Sequence, residues 1–324
     1  MVRGLGFVLS FLFLCLEALG KPSADRFRSV YDAFISGEET KVDSAYLSRF
    51  DYLFFGGFGG IKFKPFSLIG DGYFDLFRQE VRRHGVPKQQ VPSTYFPPSS
   101  KSIAENGEGF FSDVLYERVI LNGRKVVLFG HSKGAAELFT FAVTNPEFVR
   151  DHVEALIFIS GAFQGSALAN LVQGKANRRP VPLALHVPSR AVALAMWPYL
   201  NFFWRNGLNS LTTEAAGRHL EKILKDEYAV KEVLAKSLFV QTETKGLDRS
   251  PIIWMPDLYL RTEGADSSDG LVTLSHQLPT ESAESVILSG VSHFVPCPKI
   301  ISWHYFSRIP RGMALASLAS LQGE

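Results

Sequence analysis

Cysteine is almost missing from this chain: 324 residues contain 2, Cys15 and Cys297. Cys15 lies in an amino-terminal stretch expected to be removed, and a single remaining thiol cannot close an internal disulfide. A disulfide-stapled scaffold is thereby excluded, and the fold must be held by its core, which a chain of this length can supply. Cys297 reads as a small buried hydrophobe. Net charge is equally scarce at +2, so no strong field points toward nucleic acid or an anionic membrane, and no nucleic-acid partner is expected. Repeats and low-complexity tracts are absent. Charged residues make up only 20% against 46% hydrophobic, which excludes a disordered chain.

Aromatic residues, by contrast, are plentiful at 13%, with 27 Phe. They fill a core first, and lean toward apolar ligands second. The amino terminus has the grammar of a signal peptide: Arg3, an apolar Leu5 to Leu16, and small residues around Ala18-Leu19-Gly20. The apolar run is short for a membrane span and is followed at once by polar Lys21 to Arg28. Cleavage near Gly20 and a secreted or periplasmic mature chain are expected, an uncleaved membrane anchor being the alternative. A lipid-modified Cys15 is disfavoured by bulky Phe13 and Leu14.

From about Asp51 onward, strand-like and helix-like segments alternate, as in a largely parallel sheet covered on both faces. The spacing predicts strands at Asp51 to Phe55, Gln89 to Phe96, Glu154 to Ser160, Lys236 to Thr242 and Ser285 to Ser289, with a further strand and its turn together over Lys125 to Gly134. It predicts helices within Gly72 to His84, Ile103 to Leu121 and Ala135 to Thr144. Between Ala167 and Lys236 the alternation breaks down. Val181 to Trp204 is apolar and carries Trp197, Tyr199, Phe202, Phe203 and Trp204, interrupted by Pro182, Pro188 and Pro198. Arg190, Asn201 and those prolines argue against a membrane helix. An inserted helical cap over 167–236, one side facing the core and the other a substrate, fits better. The domain reading is a signal peptide over 1–20 and one domain over 21–324 that carries this cap.

The densest chemical signal is Lys125 to Gly134, an apolar run delivered into Gly130-His131-Ser132-Lys133-Gly134. A serine hydroxyl is a weak nucleophile until geometry and a neighbouring base activate it. Gly-x-Ser-x-Gly between a strand and a helix is the nucleophile elbow, with glycines where neighbouring backbone leaves no room for a Cβ. Ser132 is the candidate nucleophile. Such a serine needs a histidine base and a carboxylate to orient it, in the chain order Ser, acid, His. Of eight histidines, His276, His293 and His304 lie far enough along the chain. His276 is too close to the candidate acids, and His304 lies between Trp303 and Tyr305 in a helix-like stretch. His293 follows a strand, in Gly290-Val291-Ser292-His293-Phe294, where catalytic loops gather. The polar turn Gly264 to Val272 offers two acids, Asp266 and Asp269; an Asx-turn is the bland alternative for either.

The oxyanion formed by serine attack needs backbone N–H donors already in place. Lys133 supplies one and Phe58, in Phe55-Gly56-Gly57-Phe58-Gly59-Gly60, supplies the other. The same glycine-rich loop could cradle phosphate, but no Gly-x-Gly-x-x-Gly or Gly-Lys-Ser/Thr element follows it. The Lys133 side chain reads either as an exposed lysine without a role or as a group favouring anionic substrates.

Together these residues resemble the serine lipases and esterases of the α/β-hydrolase fold, and within them the secreted bacterial triacylglycerol lipases. Gly-His-Ser-Lys-Gly matches that group's Gly-His-Ser-x-Gly. Phe55-Gly56-Gly57-Phe58 is similar to its His-Gly-aliphatic oxyanion loop, with Gly56 replacing the histidine. Phe163 to Ala169 looks like the segment after the next strand, and Leu208 to Glu214 resembles one that closes the cap. Ser268-Asp269-Gly270-Leu271-Val272 resembles the Asn-Asp-Gly-Leu-Val that carries the acid, which favours Asp269. Gly290 to Phe294 is similar to the Asn-His-Leu that carries the base. The matches run in order across about residues 50 to 300. The elbow is the specific one; the others count mainly as a series.

The resemblance implies an α/β-hydrolase fold, a mostly parallel sheet with helices on both faces and an inserted helical cap. It implies hydrolysis of carboxylic esters, lipid acylglycerols among them, through an acyl-serine intermediate without a cofactor. Transient contact with a lipid interface through the cap would follow. Val295 stands where the group usually has a calcium-binding aspartate, so no such calcium is expected. An acyltransferase, a short-chain or polyester esterase, or a thioesterase would use the same machinery. A non-catalytic lipid-binding protein would have no need of a complete Ser-Asp-His set.

Overall fold

Successive residues of a strand point to opposite sides of a sheet, yet all five residues of Asp51–Phe55 are buried. A strand of that kind needs cover on both faces, the condition met by parallel sheets with crossover helices. The computed structural model describes residues 21–58, 72–173, 205–244, 251–296 and 308–322. Outside the described residues lie the expected signal peptide, Gly59 and Gly60, the apolar Val181 to Trp204, Cys297 and His304. Strands β1 (Asp51–Phe55), β2 (Val126–His131), β3 (Val153–Ile159), β4 (Ser237–Glu243) and β5 (Ser285–Ser289) pair in that order, all parallel. The main helices are α1 (Ala24–Ser36), α2 (Asp75–Arg83), α3 (Phe111–Asn122), α4 (Lys133–Thr144), α5 (Pro146–His152), α6 (Thr213–Ile223), α7 (Glu227–Leu234), α8 (Pro251–Thr262) and α9 (Arg308–Ser320).

The alternation along each strand sorts the core into two layers. Tyr52, Phe54, Val127 and Phe129 pack with Phe27 of α1, Phe77 of α2 and Met313 of α9. Leu53, Phe55 and Leu128 pack on the other face with Leu115 of α3, Phe139 of α4, Val149 of α5, Leu220 of α6 and Val233 of α7. Phenylalanines in register stack across neighbouring strands, Phe54 on Phe129 at 4.7 Å and Phe158 on Phe239 at 4.8 Å between ring centroids. Such pairs add roughly 0.5–1.5 kcal/mol beyond the area they bury. Polar side chains start the helices: Ser23 Oγ accepts the Arg26 N–H at 3.2 Å and Asp226 accepts that of Ala229 at 3.0 Å.

Two expected elements differ. Gln89 to Phe96 forms no strand; Lys88–Gln90 is a 3₁₀ turn, and a single parallel bridge joins Phe55 to Tyr95. Pro92, Pro97 and Pro98 lack the N–H groups a ladder needs. The helix expected from Ile103 to Leu121 is interrupted. A short helix Ile103–Glu105 leads into a π turn, Asn106–Phe110, before α3 begins. Within the expected cap, Ala216 and Leu220 of α6 and Ala229 and Val233 of α7 belong to the same buried core layer as α4. After Thr213 that segment is therefore part of the helical layer. Its apolar stretch lies within 174–204, outside the described residues.

Candidate active site

β2 ends at His131, and the chain turns into α4 through Ser132, whose backbone has φ 55° and ψ −126°. A residue with a Cβ seldom adopts this conformation, which costs on the order of 1–3 kcal/mol and is held by its surroundings. A Cβ on Gly134 would lie 2.4 Å from the Gly56 carbonyl oxygen, and one on Gly130 would lie 2.8 Å from Ala135 Cα. The two glycines allow the strand–helix approach that lifts Ser132 onto the carboxyl-terminal edge of the sheet.

Two other loops at that edge meet the serine. His293 lies beyond β5 and Asp269 beyond β4 and α8. The loop carrying Asp269 is tied back to β4 by the Thr244 N–H, which donates to the Ser268 carbonyl at 2.8 Å. His293 Nδ1 donates to Asp269 Oδ2 at 2.7 Å, and the Ser132 hydroxyl donates to His293 Nε2 at 2.8 Å. Asp269 is fully buried and accepts three further hydrogen bonds. The N–H groups of Leu271 (3.0 Å) and Val272 (2.8 Å) reach Oδ1, and the Thr242 hydroxyl (3.3 Å) reaches Oδ2. Ser160, itself at positive φ, hydrogen-bonds Thr242 at 2.6 Å and extends the network beneath the site. The His293 N–H donates to the Asp269 carbonyl at 2.9 Å, so backbone and side chain of the pair are both fixed.

Ser132, Asp269 and His293 are thus brought into one chain of hydrogen bonds. Asp266 is not: it is exposed and lines a cavity of about 640 Å³ together with Glu263, Gln241 and His276. His276 sits there on the 3₁₀ turn Leu274–Gln277, leaving His293 as the imidazole on Ser132. Lys133 opens α4 directly after the serine, and its backbone N–H has no acceptor among the described residues. Phe58 follows Gly57, whose Cα abuts Ser132 so closely that a Cβ there would lie 2.7 Å from the serine Cβ.

The Lys133 side chain corrects the expectation of an exposed cation. It is 1% exposed and ion-paired with Glu137, which also accepts from Asn106 Nδ2 at 2.6 Å. It therefore cannot greet an anionic substrate. Burial pushes the Glu137 carboxyl up to about 7, against the opposing pull of Lys133. Sequence reasoning also passed over His131. Burial, with the His293 imidazole adding to it, pushes its pKa well below the ordinary histidine value. His131 stands inside the elbow motif, so a signal was present, but its partner Tyr73 is 58 residues away. No group of three or more His, Cys, Asp or Glu side chains that could hold a metal ion occurs among the described residues.

The arrangement can move a proton. With Nδ1–H committed to Asp269, the Nε2 lone pair of His293 accepts the Ser132 proton, and the carboxylate offsets the charge that then develops on the ring.

No protein-family model and no curated protein sequence matches the chain. Solved structures do match it in fold. The mature form of lipase BlEst2 from Bacillus licheniformis superimposes with a TM-score of 0.53 at 17% identity, covering 80% of this chain and 91% of that one. A metagenomic carboxyl esterase, MGS0156, does so with a TM-score of 0.57 at 15% identity, covering 94% and 92%. The five-stranded parallel sheet with helices on both faces is the α/β-hydrolase fold.

Proposed function

We propose that this protein hydrolyses carboxylic esters, lipid acylglycerols among them, through an acyl-serine intermediate. The observation that carries the reading is the continuous path Asp269 Oδ2, His293 Nδ1, His293 Nε2, Ser132 Oγ, with links of 2.7 and 2.8 Å, ending on a serine at a strained elbow. Binding alone gives no reason for that order of groups. The fold neighbours named above, a lipase and a carboxyl esterase, support the same class of reaction. The aromatic segment Val181 to Trp204 supports long acyl chains and a transient lipid contact, and the amino-terminal apolar stretch supports export.

In this mechanism His293 takes the Ser132 proton as Oγ attacks the ester carbonyl carbon, and the carbonyl π pair moves onto oxygen. The Lys133 and Phe58 N–H groups hold that oxyanion. Its collapse expels the alkoxide, which receives the proton from His293 and leaves as alcohol. Water then attacks the acyl-enzyme with His293 again as base, and the acid and free Ser132 are released.

An acyl-chain-length series on wild type and Ser132→Ala tests the proposal. Wild type should turn over the esters, and Ser132→Ala should lose about 10⁴-fold or more in kcat. Wild-type activity in Ser132→Ala would overturn the assignment. Activity confined to short chains, with emulsions left untouched, would remove the lipid substrate and leave the esterase. Ester products formed with a competing alcohol would make the protein a transferase.

A further inference from the structure

Beneath Ser132 runs a second hydrogen-bonded path that the mechanism above does not use. The Gly57 N–H donates to the Tyr73 hydroxyl oxygen at 3.0 Å, Tyr73 is bonded to His131 Nδ1, and His131 Nε2 lies 2.8 Å from the His293 carbonyl oxygen. All four residues are buried.

The direction of every proton in this path is fixed. A carbonyl oxygen only accepts, so His131 Nε2 carries a hydrogen. Burial pushes the His131 pKa well down, so the ring is neutral and Nδ1 is a bare acceptor. Tyr73 must then donate to Nδ1, which leaves its oxygen lone pairs for the Gly57 N–H. Neutral His131 therefore bridges one hydroxyl and one carbonyl, in one sense only.

We propose that Tyr73 and His131 are positioning residues that hold the oxyanion loop and the loop of the general base in register across Ser132. The inference rests on the ester-hydrolase reading and deepens it. One end of the path fixes the peptide before Gly57, the residue that abuts Ser132 and precedes the Phe58 donor. The other end fixes the carbonyl of His293, whose N–H is already held by Asp269 at 2.9 Å. With both backbone groups held, the imidazole can change direction only by its side-chain torsions. Those are held in turn by Asp269 and Ser132. Neither Tyr73 nor His131 touches the reacting atoms; they act through Gly57 and His293.

The test uses purified full-length protein, p-nitrophenyl butyrate, and the second-order rate of inactivation by a fluorophosphonate, read beside melting temperature. Tyr73→Phe removes one hydroxyl at constant shape. It should lower kcat and the inactivation rate together by about 10–100-fold with KM little changed, the scale expected of slight misplacement of reacting groups. His131→Asn keeps an acceptor for Tyr73 and loses the His293 link, whereas His131→Gln keeps a donor to His293 and loses the Tyr73 link. Each should cost about as much as Tyr73→Phe. The double variant Tyr73→Phe/His131→Gln should cost little more than either single, because one continuous path is broken in each.

Folded Tyr73→Phe and His131→Asn with wild-type kcat and inactivation rates would overturn the proposal. So would losses in the double variant that multiply, or variants none of which folds, since the link would then be structural only. If wild type neither turns over the ester nor reacts with the fluorophosphonate, the ester-hydrolase reading itself fails. Active, labelled wild type with unaffected variants sinks the positioning role alone.

Discussion

Two carboxylates lie buried beside the residues that flank Ser132, and they are held in different ways. Asp269 sits in a loop, and two backbone N–H groups, one hydroxyl and one imidazole converge on it. Glu137 sits in the middle of α4, and among the described residues its carboxylate is bonded by two side chains, Lys133 and Asn106. A loop can turn unpaired amides inward toward a carboxylate. A helix interior cannot, because its N–H groups are spent on the carbonyls four residues back. Glu137 accordingly has its carboxyl pushed up to about 7 by burial even with a lysine in contact. The carboxylate in the loop is placed to orient a base; the one in the helix is a packing element with a titration of its own.

The largest effect that should separate them is catalytic. Asp269→Asn keeps the shape but no longer favours the imidazole form that accepts the serine proton, and kcat should fall by about 10⁴-fold. Glu137→Gln should leave kcat close to wild type. Equal losses in steady-state assays of the two variants would erase the distinction.

Next comes stability against pH. A raised carboxyl pKa means that the folded state holds its proton more tightly than the unfolded one. The stability from Glu137 is therefore fully present at acid pH and lost as pH rises from 4.5 through about 7, by up to roughly 3 kcal/mol. His131 acts in the opposite sense. Its depressed pKa supplies stability above 6.5 that is lost as pH falls, at up to about 1.4 kcal/mol per pH unit. The two slopes oppose each other as pH falls below 6.5, so wild type should look flatter there than either variant. Urea unfolding at a series of pH values should show Glu137→Gln losing stability more steeply on acidification and His131→Gln gaining relative to it. Parallel curves for all three proteins would show that neither group titrates as described.

The smallest effect sharpens the choice of acid. Asp266→Asn touches an exposed side chain with no bond to His293, so activity should be unchanged and stability should move by no more than about 0.5 kcal/mol. A large loss of kcat in this variant would transfer the orienting role to Asp266.

What could be read from the sequence is what short-range spacing encodes. Gly130, Ser132 and Gly134 define the elbow within five residues, and apolar runs mark all five strands. The position of His293 just past β5 follows from the same reading. Asp266 and Asp269 occupy one polar turn; the resemblance of Ser268 to Val272 favours Asp269, and in the fold it is Asp269 that meets a histidine more than twenty residues further on. Burial of Lys133 was hidden for a similar reason. Its partner is Glu137 in its own helix, held in turn by Asn106 in the π turn, and the turn itself breaks a segment whose periodicity reads as one uninterrupted helix. Gln89 to Phe96 has the composition of a strand, but its flanking prolines deny it a ladder. His131 stands inside the elbow motif, but Tyr73, 58 residues away, carries no local signature, since their pairing exists only once the chain has closed.

The most direct test of the central claim is mass spectrometry of the intact protein and its peptides after reaction with a fluorophosphonate. The account predicts one added phosphonyl group per wild-type chain, located on Ser132, and none on Ser132→Ala. An unlabelled wild-type protein, or a label that persists in Ser132→Ala, would contradict it.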